Sequence, residues 1–298
     1  MPDIELDEAA LSASPAARMV TRLLEHCSIE MPARAAEQLA TASRFLRPDT
    51  RIYVPSLSGQ SIDATLCALS AIRRHGFEPV PHIAARRIRA RAELRDFIAA
   101  AVAQHGVRRI MLIAGDVSPP TGVYYDSLAL LEDGVLGGTG LEEIGLAGYP
   151  EGHPTVNRKQ LSELLVLKLA AARAQHLLPS IVTQFCFAPR RIVEYCSEIA
   201  RLDRELTVHA GIVGPTDPIA LLRYARLCGV NASRQALSKF GAGIAKLAMQ
   251  RDPGNQIQEL ARYASGRTAS QVGGIHVYGF GGFVRTAEWL HRTAMVQR

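Results

Sequence analysis

Residues 78–116 read EPVPHIAARRIRARAELRDFIAAAVAQHGVRRIMLIAGD, and this stretch decides the fold. It opens on one short apolar run, Glu78–His82, and closes on another, Arg108–Ala114. Between them Ala92–Gln104 carries apolar residues at three- and four-residue spacing, the period of a helix with one buried face. A strand, a helix and a second strand in that order predict a crossover unit. The same alternation runs outward in both directions. Further strands are predicted at Cys27–Met31, Arg51–Pro55, Glu142–Tyr149, Ser180–Gln184, Leu206–Ala210 and Gly273–Tyr278. Helical spacing falls at Ala35–Leu46, Ile62–Arg74, Gln160–Ala174, Arg190–Leu202, Pro218–Leu227 and Phe283–Ala294. Eight strands, each with its helix, is the number that closes a (β/α)8 TIM barrel. A doubly wound open sheet is the alternative, but it usually needs fewer strands and a topological switch point. The predicted class is therefore α/β: a single-domain barrel with extra helices before the last strand, at Arg234–Phe240, Ile244–Met249 and Gln256–Tyr263. Residues 1–22 are expected to form a tail or leading helix, and residues 23–298 the barrel.

Composition fits one such domain. Of 298 residues, 48% are hydrophobic and 21% charged, which excludes disordered and low-complexity classes. The net charge of +6 is an arginine bias, since only Lys159, Lys168, Lys239 and Lys246 are lysines. The apolar stretches Arg109–Gly115 and Leu164–Ala172 fall short of the roughly 20 residues a bilayer span needs. The start, MPDIELDEAA, is acidic and lacks the apolar core of a secretory signal, so a cytoplasmic location is expected. Cys27, Cys67, Cys186, Cys196 and Cys228 are dispersed with no C-x-x-C, so reduced, buried thiols are expected and no disulfide framework. The Arg86–Arg91 cluster, with Arg86, Arg87, Arg89 and Arg91, reads first as a solvated face and second as a meeting point for a cofactor phosphate. No aromatic interleaving accompanies it, so no nucleic-acid partner is expected.

In a barrel the chemistry collects at the C-terminal ends of the strands. The polar residues there are Glu30, Ser56, Ser58, His82, Asp116, Tyr149, Glu151, His153, Gln184, His276 and Tyr278. Carboxylates, an amide, phenols and imidazoles converging on one mouth suit a polar, hydrogen-bonding ring system. No H-x-H or H-E-x-x-H pairing occurs, and no metal is expected.

These segments carry a resemblance. Ser28-Ile29-Glu30-Met31-Pro32 resembles the S-F-E-F-F-P opening of methylenetetrahydrofolate reductases, and Glu78-Pro79-Val80-Pro81-His82 their E-P-x-P-H-L-T. Gly115-Asp116 is similar to the end of L-R-G-D, and Ile144–Pro154 to I-G-V-A-x-Y-P-E-x-H-P. Thr183-Gln184-Phe185-Cys186-Phe187 resembles T-Q-F-F-F, and Gly274-Ile275-His276-Val277-Tyr278 resembles G-x-H-F-Y. Each motif is weak alone; their shared order from residue 28 to residue 278 makes the resemblance specific.

The resemblance implies interconversion of 5,10-methylenetetrahydrofolate and 5-methyltetrahydrofolate, with NAD(P)H as hydride source and usually FAD as intermediary. It implies Glu30 as the acid that opens the five-membered ring and Asp116 as the carboxylate that tunes charge beside the pterin. The bland alternative for Asp116 is a helix N-cap in its loop. Gln184 would read the pterin edge, with Phe185, Tyr278 and Phe280 as further substrate contacts. Ser56, His82, Gly115, Tyr149 and His153 would meet the cofactor. A folate and a nicotinamide cofactor are the implied partners, with no membrane and a homo-oligomer left open.

The departures concentrate on the flavin. The arginine of L-R-G-D is here Ala114, a threonine after the second strand is Pro55, and a small residue is Tyr125. On the helix after His153, the aspartate, asparagine and basic pair that face the FAD tail align with Glu163, Val166, Leu169 and Ala170. Lys159 and Lys168 lie close enough to compensate. The family's second glutamine aligns with Ala220, and a leucine with Phe280. The expectation is a flavin-independent member. The alternatives are an FAD-dependent reductase of the usual type, or a folate-binding methyltransferase or non-catalytic folate-binding subunit on the same barrel.

Overall fold

The structure, a computed structural model, describes residues 14–186, 188–217, 253–266 and 271–296. Eight parallel strands close into a barrel in sequence order. They are β1 Ser28–Glu30, β2 Arg51–Val54, β3 Glu78–Ala84, β4 Arg109–Ile113, β5 Glu143–Gly148, β6 Leu178–Thr183, β7 Val208–Val213 and β8 Val272–Tyr278. Closure is direct: Ser28 pairs with His276 and Ile29 with Val277, so β1 meets β8. The (β/α)8 TIM barrel expected from the periodicity is the fold observed.

The helices are α1 Pro15–Glu25, α2 Leu39–Ala42, α3 Ile62–Arg74, α4 Arg91–His105, α5 Ser127–Glu132, α6 Arg158–Ala174, α7 Pro189–Leu202, α8 Pro253–Ser265 and α9 Phe283–Val296. Their boundaries follow local chemistry. The Ser61 hydroxyl accepts from the Ala64 amide to start α3, and Asn157 with Gln160 forms a capping box at α6. Gly106, left-handed at φ 61°, stops α4. The helix expected over Ala35–Leu46 is instead a 3-10 turn, Ala33–Gln38, followed by the four residues of α2. Pro32 precedes this segment and Pro48 lies in the loop that follows it. The small buried side chains of Ala33, Ala35 and Ala42 let it lie close on the barrel wall, and Leu39 anchors it in the core. α1 runs past residue 22, buries Val20, Leu23 and Leu24, and packs on α8 and β8. Gln256–Tyr263 lies within α8. The helices expected at Pro218–Leu227, Arg234–Phe240 and Ile244–Met249 fall outside the described residues, as do Ala220 and Cys228.

Alternation along each strand sorts its side chains to two sides. The outer set, including Ile29, Ile52, Val54, Ile110, Leu112, Ile144, Leu146, Ile275 and Val277, is buried against the helices. The inner set fills the barrel in layers. At the N-terminal end Arg109 donates to both carboxylate oxygens of Glu143, at 2.5 and 2.7 Å, and to Glu78 at 2.5 Å. Arg51 lies 3.6 Å from Glu78 and 3.9 Å from Glu143. Each of these four residues opens its strand. Above them Tyr53, Val80, Met111 and Val182 form an apolar plug. The site sits on that plug.

Among the described residues no helix is long and apolar enough to cross a membrane. Cys27, Cys67, Cys186 and Cys196 are free thiols; Cys67 is exposed rather than buried, on the outer face of α3.

Candidate active site

The inner faces of β1, β3 and β8 converge above the plug. Glu30 ends β1, and its side chain is only 13% exposed. Its Oε1 lies 3.8 Å from His82 Nε2 and 3.6 Å from His276 Nε2. Tyr53 forms the floor, edge-on to both imidazoles, with ring centroids 5.8 Å from His82 and 4.6 Å from His276. Burial pushes the His82 imidazole down to about 4, although the Glu30 carboxylate opposes this. Burial also pushes the Tyr53 phenol up to about 12. The result is a nearly buried acidic side chain beside a neutral imidazole and a neutral phenol.

Tyr278 extends the wall from β8. Its ring is edge-on to His276 at 4.9 Å and stacks on Phe280 at 5.6 Å, and its hydroxyl donates to the Thr183 carbonyl at 2.9 Å. Gly211 makes this approach possible, because a Cβ there would stand 2.2 Å from the Thr183 carbonyl and 2.9 Å from the Tyr278 ring. Phe185, 1% exposed, packs edge-on against both Tyr278 and Phe280, so it supports their rings. Gln184 follows β6, and its side-chain oxygen accepts from the Phe185 amide at 3.1 Å. That bond occupies the amide oxygen and leaves the nitrogen as a donor.

Asp116 lies in the loop after β4. It accepts from Arg87 at 2.7 Å, and that guanidinium holds its carboxyl below the usual range. Asp116 is no helix cap; the cap of α5 is Asp126, which accepts from the Leu128 and Ala129 amides at 2.8 and 3.0 Å. The arginine cluster is accordingly only partly a solvated face. Arg87 is 18% exposed on its side chain and paired, and Arg86 donates to the Tyr125 carbonyl at 2.7 Å. Gly115, at φ +89°, lets this loop turn against Ala84, whose Cβ would lie 3.2 Å from an added one.

On the opposite rim Tyr149 and His153 meet edge to face at 5.0 Å. Burial, then the Arg86 and Lys168 charges, lower the His153 imidazole. Ser56 is half-buried after β2. The positions aligned with the FAD tail differ among themselves. Leu169 is 4% exposed in the core, Val166 is 45% exposed, and Ala170 is exposed. Lys159 pairs with Glu163 at 3.8 Å on the outside of α6. Lys168 is half-buried, and burial lowers its ammonium.

The geometry thus brings together Glu30, His82 and Tyr278, puts Gln184 and Phe280 beside them, and sets Asp116 apart with Arg87. It adds Ser28 and Tyr53, and it sets His276, expected at the mouth but given no role there, beside Glu30. Strand parity was the signal that could have found them, since Ser28 and Glu30 alternate on β1 as His276 and Tyr278 do on β8. A family model described as methylenetetrahydrofolate reductase matches residues 56–279.

The chain belongs to the methylenetetrahydrofolate reductase family.

The match includes His82, Asp116, Tyr149, His153, Gln184, His276 and Tyr278, while Glu30 and Phe280 stand outside it. Among solved structures, the chain is similar to dihydropteroate synthase from Thermus thermophilus. The TM-score is 0.48 and the identity 13%, covering 93% of this chain and 94% of that chain.

Proposed function

We propose that this methylenetetrahydrofolate reductase family member interconverts 5,10-methylenetetrahydrofolate and 5-methyltetrahydrofolate by direct hydride exchange between NAD(P)H and the folate. The observation that carries the reading is the placement of Glu30, a nearly buried carboxyl at the bottom of the mouth. Opening the folate ring requires one proton on the bridging nitrogen. Glu30 gives that proton, the carbon–nitrogen electron pair passes to the nitrogen, and the one-carbon unit becomes an iminium cation. NAD(P)H supplies the hydride that reduces it. Tyr278 and Phe280 offer an apolar wall for the ring system, and the Gln184 nitrogen donates to its polar edge. Asp116, apart from this group and paired with Arg87, keeps the charge-tuning role only as the resemblance implies it. Ser56, His82, Gly115, Tyr149 and His153 are assigned to the nicotinamide end of the cofactor.

The FAD tail does not fit the residues present. A dinucleotide diphosphate is held by helix N-termini, glycine nests or Arg and Lys donors. Leu169 belongs to the core, Val166 and Ala170 carry no donor, and neither does Ala114. Charge-assisted hydrogen bonds contribute about 1.5–3 kcal/mol each, so losing two or three weakens binding by orders of magnitude. Direct transfer to the folate follows, with the nicotinamide where the isoalloxazine usually lies.

Purified protein tests this. The expected result is NAD(P)H-dependent turnover of methylenetetrahydrofolate with no flavin absorbance and no stimulation by added FAD. A stoichiometric flavin band, with turnover that depends on it, would overturn the direct mechanism.

A further inference from the structure

The cations around the Tyr149 and His153 rim are of two kinds. Arg87 is paired with Asp116 at 2.7 Å, Arg158 with Glu198 at 3.2 Å and Lys159 with Glu163 at 3.8 Å. No carboxylate among the described residues pairs with Arg86 or Lys168, although both charges act on the His153 imidazole. Arg86 stands just after β3. Its Nε donates to the Tyr125 carbonyl at 2.7 Å, and its own carbonyl accepts from the Thr121 amide at 2.9 Å and the Thr121 hydroxyl at 3.0 Å. These bonds hold the residue in place and leave its terminal guanidinium nitrogens as donors. Lys168 comes from α6 and, with Tyr149, lines a cavity of about 100 Å³. The carboxylate whose charge acts on it, Asp126, already accepts from the Leu128 and Ala129 amides. The Thr155 amide donates to His153 Nδ1 at 3.3 Å, so the neutral ring carries its proton on Nε2.

We propose, on the direct-transfer reading above, that Arg86 and Lys168 hold the diphosphate of NAD(P)H beside the Nε2–H of His153. Two cations brought to one imidazole from separate segments, with no carboxylate in contact, repel each other, and an anion between them removes that cost. The guanidinium presents a fork to two phosphate oxygens, and the ammonium meets the anion as a point charge. Neither residue is among those aligned with the donors of the FAD tail, Glu163, Val166, Leu169 and Ala170. Positive charge lost from those places on α6 is thus supplied at the His153 rim instead. The carboxylates of a folate glutamate tail are the other anion such a pair could take. The diphosphate is favoured because the cations gather at Tyr149 and His153, on the rim opposite Asp116, whereas the folate wall is Gln184, Tyr278 and Phe280.

The seat is tested by calorimetry on the full-length protein with ADP-ribose, which carries the diphosphate without the nicotinamide and needs no turnover. Wild-type protein should bind it, with an affinity that falls as salt rises. Arg86→Gln keeps a donor for the Tyr125 carbonyl, and Lys168→Met keeps the side-chain stem in the cavity. Each should weaken ADP-ribose binding about tenfold, while Lys159→Met leaves it unchanged. In turnover, KM for NAD(P)H should rise by the same factor in both variants, with kcat little changed. No binding by the wild type, or equal affinity in the wild type and both variants, overturns the seat. A loss confined to polyglutamylated folate also overturns it and gives the two cations to the folate tail. ADP-ribose binding that depends on both residues, in a protein that does not turn over, supports the seat and overturns the reductase reading alone. FAD bound tightly through the same two residues overturns direct transfer and gives the seat to the flavin.

Discussion

Glu30 owes its position to a strand of three residues, and its chemistry to two imidazoles from strands far away in sequence. Replacing it with glutamine keeps the shape and removes the transferable proton. Glu30→Gln should therefore lower NAD(P)H-dependent turnover at least about a hundredfold, with folate binding by calorimetry close to wild type. Full turnover in that variant would mean the acid lies elsewhere. The acid itself was legible, because Ser28–Pro32 resembles a known motif and sits at a strand end. Its neighbours were not, because the Ser28–His276 contact spans 248 positions and depends on how the barrel closes. The Arg87 partner of Asp116 was hidden for a related reason. Asp116 lies in a loop and Arg87 ends a single 3-10 turn, Ala85–Arg87, and neither has a periodicity that tells which side chain turns toward which.

The strands were legible as elements because a parallel strand buried on both faces reads as a short, nearly continuous apolar run. Their starts carry a second feature that periodicity does not reveal. Arg51, Glu78, Arg109 and Glu143 open four consecutive strands, and register places Arg51 beside Glu78 and Arg109 beside Glu143. Removing the Arg109 guanidinium leaves two nearly buried carboxylates without their main partner. Arg109→Leu should cost about 3 kcal/mol of stability in denaturant unfolding, while Arg108→Leu, on a half-exposed side chain, should cost well under 1 kcal/mol. Equal effects would show that the layer is no more than surface charge. Burial raises the Glu143 carboxyl, but its bonds to Arg109 outweigh that and hold it low. Its contribution is present above the unfolded carboxylate value of about 4.3 and is lost as pH falls through the lower folded value. The short α5 escaped the sequence reading because six residues cannot display a helical period, although Asp126 supplies its cap.

The whole molecule keeps buried imidazoles neutral inside a closed barrel. Burial lowers His82 to about 4 and His209 to about 3. Both folded values lie under the unfolded value of about 6.5, so the unfolded chain takes up protons first as pH falls. Their stabilisation is complete above about pH 6.5 and is lost below it, at up to about 1.4 kcal/mol per pH unit for each imidazole. Unfolding free energy should therefore decline from pH 6.5 toward pH 4, and His209→Phe should flatten that decline. An unchanged slope in that variant would place the titrating group elsewhere. The proposed function depends on the same closure, which carries Glu30 to His276 and leaves one mouth that the folate and the nicotinamide would share. The direct account is tested by NAD(P)H deuterated at the transferred position of the nicotinamide. Direct transfer predicts one deuterium in each 5-methyltetrahydrofolate methyl group, made by flavin-free protein. Methyl product without deuterium, its label lost to water through an exchangeable carrier, would contradict it.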